Sequence, residues 1–240
     1  MKPNRIHSWN ISPKEAEAIQ LNLRDKVKLT PYSDPFRRVG ATAVLFDPNK
    51  NTVYASVVVV DYPTFNIIEQ YGMSAEIRFP YISGMLAFRE GGVLMKLFRS
   101  VKCGVDIVLF HAHGQAHPRK FGLASHIGVL LDLPSIGFSE KILIGQYKKT
   151  GINKNDTSPI IYNSEEIGAV LVTKQGEKPV FISAGHNTDT NSSIRVVKQL
   201  VTNFRQPEPI RLARVAVKSY MDGNNIEIMN EKGAGQTSLF

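Results

Sequence analysis

Residues 39–61 read VGATAVLFDPNKNTVYASVVVVD, and this stretch decides the fold. Val39 to Phe46 is an apolar run closed by Asp47-Pro48-Asn49, a strand followed by a turn. Thr52 to Asp61 is a second strand, so rich in valine that both its faces are expected to be buried. Working outward, Phe65 to Arg78 reads as a third strand, and the three form an antiparallel meander. On the N-terminal side, Ser12-Pro13-Lys14-Glu15 supplies a cap residue, a proline at the first helical position and an early acid. That pattern opens a helix running to about Val27. On the C-terminal side, Gly84 to Val101 spaces Met85, Phe88, Leu94, Leu97, Phe98 and Val101 at helical intervals. Val105 to Phe110 is an apolar strand leading into a loop, His111 to Arg119. A helix (Phe121 to Leu131) and a short strand (Pro134 to Phe138) follow. Gly145 to Pro159 is polar and lysine-rich, a mobile surface loop. Ile167 to Thr173 and Val180 to Ser183 are strands, and Thr190 to Asn203 is a helix. The order is that of an α/β fold with a mixed sheet.

The chain has 240 residues, 42% hydrophobic and 21% charged, enough for one full core. One domain is expected over 1–221. A flexible tail is expected over 222–240, where Gly223, Asn224, Asn225, Gly233 and Gly235 sit among few apolar residues. A net charge of +8 favours a polyanionic partner, and nucleic acid is the natural one. The single cysteine, Cys103, excludes an internal disulfide, fits a reducing compartment and reads as a small packed hydrophobe. Met1 to Ser8 does not resemble a secretory signal, and Val53 to Val60 is too short to span a bilayer. The expectation is a soluble, cytoplasmic protein with no membrane partner.

Two further blocks carry the chemistry. Residues 80–90 read PYISGMLAFRE and residues 116–126 read AHPRKFGLASH. Together they resemble endonuclease V, the nuclease that nicks nucleic acid beside deaminated bases. Weaker agreement appears at Ser183-Ala184-Gly185-His186 and from Gln206 to Ala213. The resemblance covers roughly Val39 to Arg214. It implies a ribonuclease H-like fold, a mixed central sheet flanked by helices. It also implies DNA or RNA with deaminated bases as partner and Mg²⁺ as cofactor. Pro80, Tyr81, Ile82 and Gly84 fall on the family's wedge, where an aromatic ring replaces the stacking that an extruded base gives up. Gly114, His117, Arg119 and Lys120 fall in a loop suited to holding phosphate through amides and basic side chains. The competing reading of His117 is a loop histidine that satisfies local backbone groups.

The same resemblance implies four acidic or metal-binding positions. Glu90 keeps one; Thr42, His111 and Arg214 stand at the other three. A family lysine is replaced by Glu140, with Lys141 one residue late. The catalytic candidates are therefore Glu90, His111, Glu140 and Lys141, and the metal candidates are Glu90 and His111. Threonine offers only a neutral oxygen, histidine suits transition metals rather than Mg²⁺, and arginine repels a cation. The leading expectation is a nucleic-acid-binding scaffold impaired or inactive as a Mg²⁺ nuclease, with Arg214 holding a phosphate directly. The alternative is an active inosine-specific nuclease whose metal site is rebuilt from Glu90, His111, His113, His117 and Glu140. A third reading is a structural partner in a repair or replication complex.

Finally, Gln236-Thr237-Ser238-Leu239-Phe240 resembles the motif by which bacterial replication and repair proteins bind the sliding clamp. Leu239 and Phe240 would fill an apolar groove and Gln236 would anchor by hydrogen bonds.

Overall fold

The computed structural model describes residues 7–224 and 226. Gln236, Leu239, Phe240 and most of the expected tail lie outside these residues. Helix α1 (Pro13–Arg24) opens with a complete capping box. The Ser12 side chain accepts from the Glu15 amide, and the Glu15 carboxylate accepts from Ser12. A cap of this kind contributes about 1 kcal/mol. The helix stops at Arg24 because the Asp25 amide turns back to the Leu23 carbonyl.

Strands β1 (Arg38–Asp47), β2 (Thr52–Asp61) and β3 (Ile67–Glu76) form the expected antiparallel meander. The first turn is shaped by the Asp47 carboxylate, which accepts the Asn49 amide at 3.0 Å. Helix α2 (Leu86–Ser100) then crosses to β4 (Ile107–Phe110), and α3 (Leu123–Leu131) crosses to β5 (Ser135–Ser139). Both strands lie parallel in sequence, β4 to β1 and β5 to β4. Strand β4 begins two residues later than expected. Asp106 is diverted to accept the Arg37 and Arg38 amides, both at 2.8 Å, which ties the start of β1 to the entry of β4.

The sheet continues through β6 (Thr157–Tyr162), β7 (Glu165–Leu171) and β8 (Val180–Ala184), giving the order β3-β2-β1-β4-β5-β8-β7-β6. Strand β6 corrects the expectation of a loop reaching Pro159. Ser158 and Ile160 point inward while Thr157 and Pro159 face solvent. A proline is tolerated because β6 is an edge strand.

Helix α4 (Thr190–Leu200) ends three residues before the expected Asn203, where Val201 turns extended. Helix α5 (Glu208–Met221) was not foreseen from the sequence. Its signal was present: Pro209 in the first turn, then Ile210, Ala213, Val217 and Tyr220 at helical spacing, all buried. The sheet is thus covered on both faces. One core packs β2 and β4 side chains against α2 and α3, and includes Leu94, Phe98, Val108, Phe110 and Ile127. The other packs Ala41, Val58, Ile107, Leu109 and Ile136 against Val196, Val197, Ile210 and Val217 of α4 and α5. This arrangement explains why Val57 to Val60 of β2 are all fully buried. Among the described residues no helix is long and apolar enough to cross a membrane.

Candidate nucleic-acid site

The segment between β3 and α2 holds the expected wedge at the surface. Pro80 and Ser83 are exposed, and Tyr81 is 76% exposed, so its ring stands in solvent at a loop tip. Gly84 anchors the other end. Its φ of +78° is a left-handed conformation, and a Cβ there would sit 3.1 Å from Arg119 and 3.3 Å from His117. The Gly84 carbonyl accepts from His117 Nε2 at 2.8 Å, Arg119 Nη2 at 2.9 Å and Gln20 Nε2 at 3.0 Å.

His117 is buried, and burial pushes its imidazole down to about 4, with the Arg119 and His113 charges adding to the effect and the Gly84 bond opposing it. A neutral ring is what the geometry requires. Nε2–H donates to Gly84 and Nδ1 accepts the Arg119 amide at 3.2 Å. Arg119 also donates to Gln20 Oε1 at 2.6 Å, and Lys120 pairs with Glu165. The Gly114 amide donates to Ser183 Oγ, and a Cβ on Gly114 would overlap the Ala184 carbonyl. In the structure Gly114, His117, Arg119 and Lys120 each have a protein partner. His117 and Arg119 clamp the wedge loop, as the backbone-satisfying reading of His117 anticipated. Gln20 completes the clamp, and nothing in its position within an ordinary helical stretch announced it.

Tyr81, Ile82, Gly84, Leu86, His113 and His117 help to line a cavity of about 100 Å³. Burial pushes His113 down to about 4, with His111 adding to the effect and a bond to the Lys141 backbone opposing it, so the wall is uncharged at neutral pH. Leu143, also missed in the sequence, closes the cavity.

Of the remaining candidates, His111, Glu140 and Arg214 come together beyond the ends of β4 and β5. Strand β4 ends at Phe110, so His111 and His113 are loop residues. His111 turns toward Phe138 and gives Glu140 a 2.6 Å hydrogen bond. Arg214, projecting from α5, donates to the other Glu140 oxygen at 2.8 Å, and Gln206 donates to that same oxygen. Burial alone would raise the Glu140 pKa. The hydrogen bond and charge of His111, with Gln206 and Arg214, outweigh burial and hold the carboxyl at about 2. Lys141 is exposed, its backbone turned in toward Ser139. Thr42 is buried on β1, in register with Phe110. Glu90 lies on the stripe of α2 between Ala87 and Leu94, facing the sheet. Although the residue is only partly covered, the protein around its carboxyl pushes it up to about 8 by desolvation, against a smaller opposing effect of Arg89.

Comparison with known proteins accords with this geometry. The endonuclease V family model matches residues 21–215. The chain is 37% identical over 213 residues to endonuclease V of Thermosipho melanesiensis, covering 89% of this chain and 93% of the relative. With endonuclease V of Dictyoglomus thermophilum it shares 39% identity over 228 residues, 95% and 97% of the two chains. The chain belongs to the endonuclease V family. Crystal structures of endonuclease V agree. That from Streptomyces avermitilis superposes with a TM-score of 0.85 at 33% identity, covering 90% of this chain and 96% of that one. The enzyme of Ciona intestinalis, crystallised with a 24mer DNA containing an inosine, superposes at 0.78 with 25% identity over 88% and 98%. The fold is ribonuclease H-like, as the resemblance implied.

Endonuclease V enzymes are Mg²⁺-dependent, but the residues of this chain do not fit that ion. Mg²⁺ wants a near-octahedral set of oxygens, with carboxylates supplying charge. Both Glu140 oxygens are already bound by side-chain donors, one of them a guanidinium. Thr42 offers only a neutral oxygen where the family pattern has a carboxylate. Among the described residues no three His, Cys, Asp or Glu are placed to share an ion. The rebuilt cluster of Glu90, His111, His113, His117 and Glu140 does not assemble: His111 serves Glu140, while His113 and His117 line the cavity.

Proposed function

We propose that this chain binds DNA or RNA at a deaminated base and is impaired in, or has lost, the Mg²⁺-dependent hydrolysis of its family. The observation that carries the reading is the small cavity lined in part by the exposed Tyr81. A base leaving the stack needs a ring to take its place and a pocket to enter. Tyr81 supplies the ring. The cavity supplies the pocket, with a rigid rim fixed through the Gly84 carbonyl and neutral histidine walls. The inosine-containing DNA bound by the Ciona relative supports the same partner. Loss of hydrolysis is supported by the Glu140–Arg214 pair, in which a guanidinium supplies the positive charge that a metal ion would bring. Only one Arg214 nitrogen is engaged there, so the remainder of this half-exposed guanidinium is available to a backbone phosphate.

The deciding experiment offers end-labelled strands with a single hypoxanthine to excess protein, with Mg²⁺ and then Mn²⁺, and measures nicking and binding in parallel. Binding that prefers the hypoxanthine strand without nicking is the expected result. Nicking would establish the alternative, an active nuclease using Glu90 with other ligands. Equal affinity for damaged and undamaged strands would refute the base-recognition reading.

A further inference from the structure

We propose that Phe46 and Arg89 extend Tyr81 into a stacking platform for a second nucleobase, unpaired and next to the one that enters the cavity. This inference rests on the reading of Tyr81 as a wedge. It begins from an oddity of β1. Thr42, Val44 and Phe46 alternate onto the face covered by α2. Thr42 is buried there and Val44 packs against the core, but Phe46, nearer the strand end, is 44% exposed. A lone exposed phenylalanine is ordinary. This one is not alone. The guanidinium carbon of Arg89 sits 4.6 Å from the Phe46 ring centroid and 5.9 Å from the Tyr81 ring centroid. Arg89 Nη1 donates to the Phe79 carbonyl at 3.2 Å, which fixes the guanidinium between the two rings.

Three flat groups therefore cluster at the surface: an exposed phenyl with the cation over one face, and the exposed tyrosine within reach of the same cation. Arg89 donates to the Phe79 carbonyl and keeps its guanidinium against the two rings, with Glu90 its neighbour in sequence. Aromatic faces next to an arginine plane take nucleobases of any sequence, since every base has a π-face and arginine adds cation–π attraction. An acidic peptide would satisfy the charge but leave both rings uncovered. The continuity with the cavity, whose wall includes Tyr81, places the second base beside the first.

The test is the affinity of the full-length protein for a labelled oligo-dT strand and for the same strand carrying one hypoxanthine. Phe46→Ala should weaken binding of oligo-dT by roughly 5- to 150-fold, the worth of one stacked base. Phe46→Leu, which keeps apolar bulk but lacks a ring, should weaken it similarly, while Phe46→Trp should retain affinity. Its new indole should be quenched when the strand binds, a signal that a purely structural role of Phe46 would not produce. Unchanged affinity in the Ala and Leu variants, or unquenched emission from the Trp variant, overturns the platform. Failure of the parent protein to prefer hypoxanthine would overturn base recognition instead, and the two failures are read on different strands.

Discussion

Replacing Glu140 by Gln tests whether this carboxylate, with His111 and Arg214 at two former metal positions, forms a self-neutralised ion cluster. The structure holds this carboxyl at about 2, against an ordinary 4.5. Each tenfold change in an ionisation constant is worth about 1.4 kcal/mol, so the ionised group stabilises the fold by about 3 kcal/mol at neutral pH. That is an upper figure, because the Arg214 side chain is 42% exposed and solvent screens its share. Glutamine keeps the size and one acceptor but has no charge to lose. The sign follows from the lowered pKa. The contribution is fully present above about 4.5 and is lost as pH falls through about 2. Urea unfolding at pH 7 should show the variant less stable by up to ~3 kcal/mol, and at pH 3 the deficit should shrink to roughly half that. An equal deficit at both pH values would mean that Glu140 acts through packing and not through its charge. It would remove the electrostatic basis for excluding a metal.

Three further outcomes are expected. Restoring the family's residues by combining Thr42→Asp, His111→Asp, Glu140→Lys and Arg214→Asp should give a protein whose melting temperature rises with Mg²⁺ and which nicks hypoxanthine strands. A melting temperature indifferent to Mg²⁺ would show that the loss lies elsewhere. Arg214→Asp alone should weaken nucleic-acid binding about tenfold and lower its salt dependence by about one phosphate contact; unchanged affinity would refute the direct phosphate role. Because burial lowers the pKa of His113 and His117 to about 4, the unfolded chain binds more protons as pH falls from about 6.5 to 4. Stability therefore falls across that window. Protection of the Ile82 to Met85 amides, corrected for the intrinsic exchange rate at each pH, should fall below pH 6; protection that does not change with pH would count against the histidine clamp.

The division between what was legible and what was not follows the range of the forces involved. Periodicity is local, so the β1–β3 meander, α2, α3 and α4 could be read directly, with errors at their ends where single contacts decide. Asp106 delays β4 by binding amides some seventy residues away in the chain, and no local pattern carries that. Helix α5 was legible in its spacing from Ile210 to Tyr220 but was passed over as a motif; β6 was obscured by Pro159, which only an edge position permits. At the site, the substitutions at Thr42, His111, Glu140 and Arg214 could be listed from the sequence, and their charges argued against Mg²⁺. That Glu140 and Arg214 face each other was not visible, because 74 residues separate them.

The sequence by itself determined the family, the Pro80-Tyr81-Ile82 segment that bears its likeness, and the deficit of acids at the family's metal positions. Short-range patterning and the identity of side chains suffice for those. Only the tertiary structure decided the use of the basic loop. His117 and Arg119 look like phosphate ligands in one dimension, yet in three they converge with Gln20 on the single carbonyl of Gly84. A buried carbonyl must be satisfied, and the donors that reach it are set by how α1, α2 and the loop after β4 pack, not by the order in which they are written.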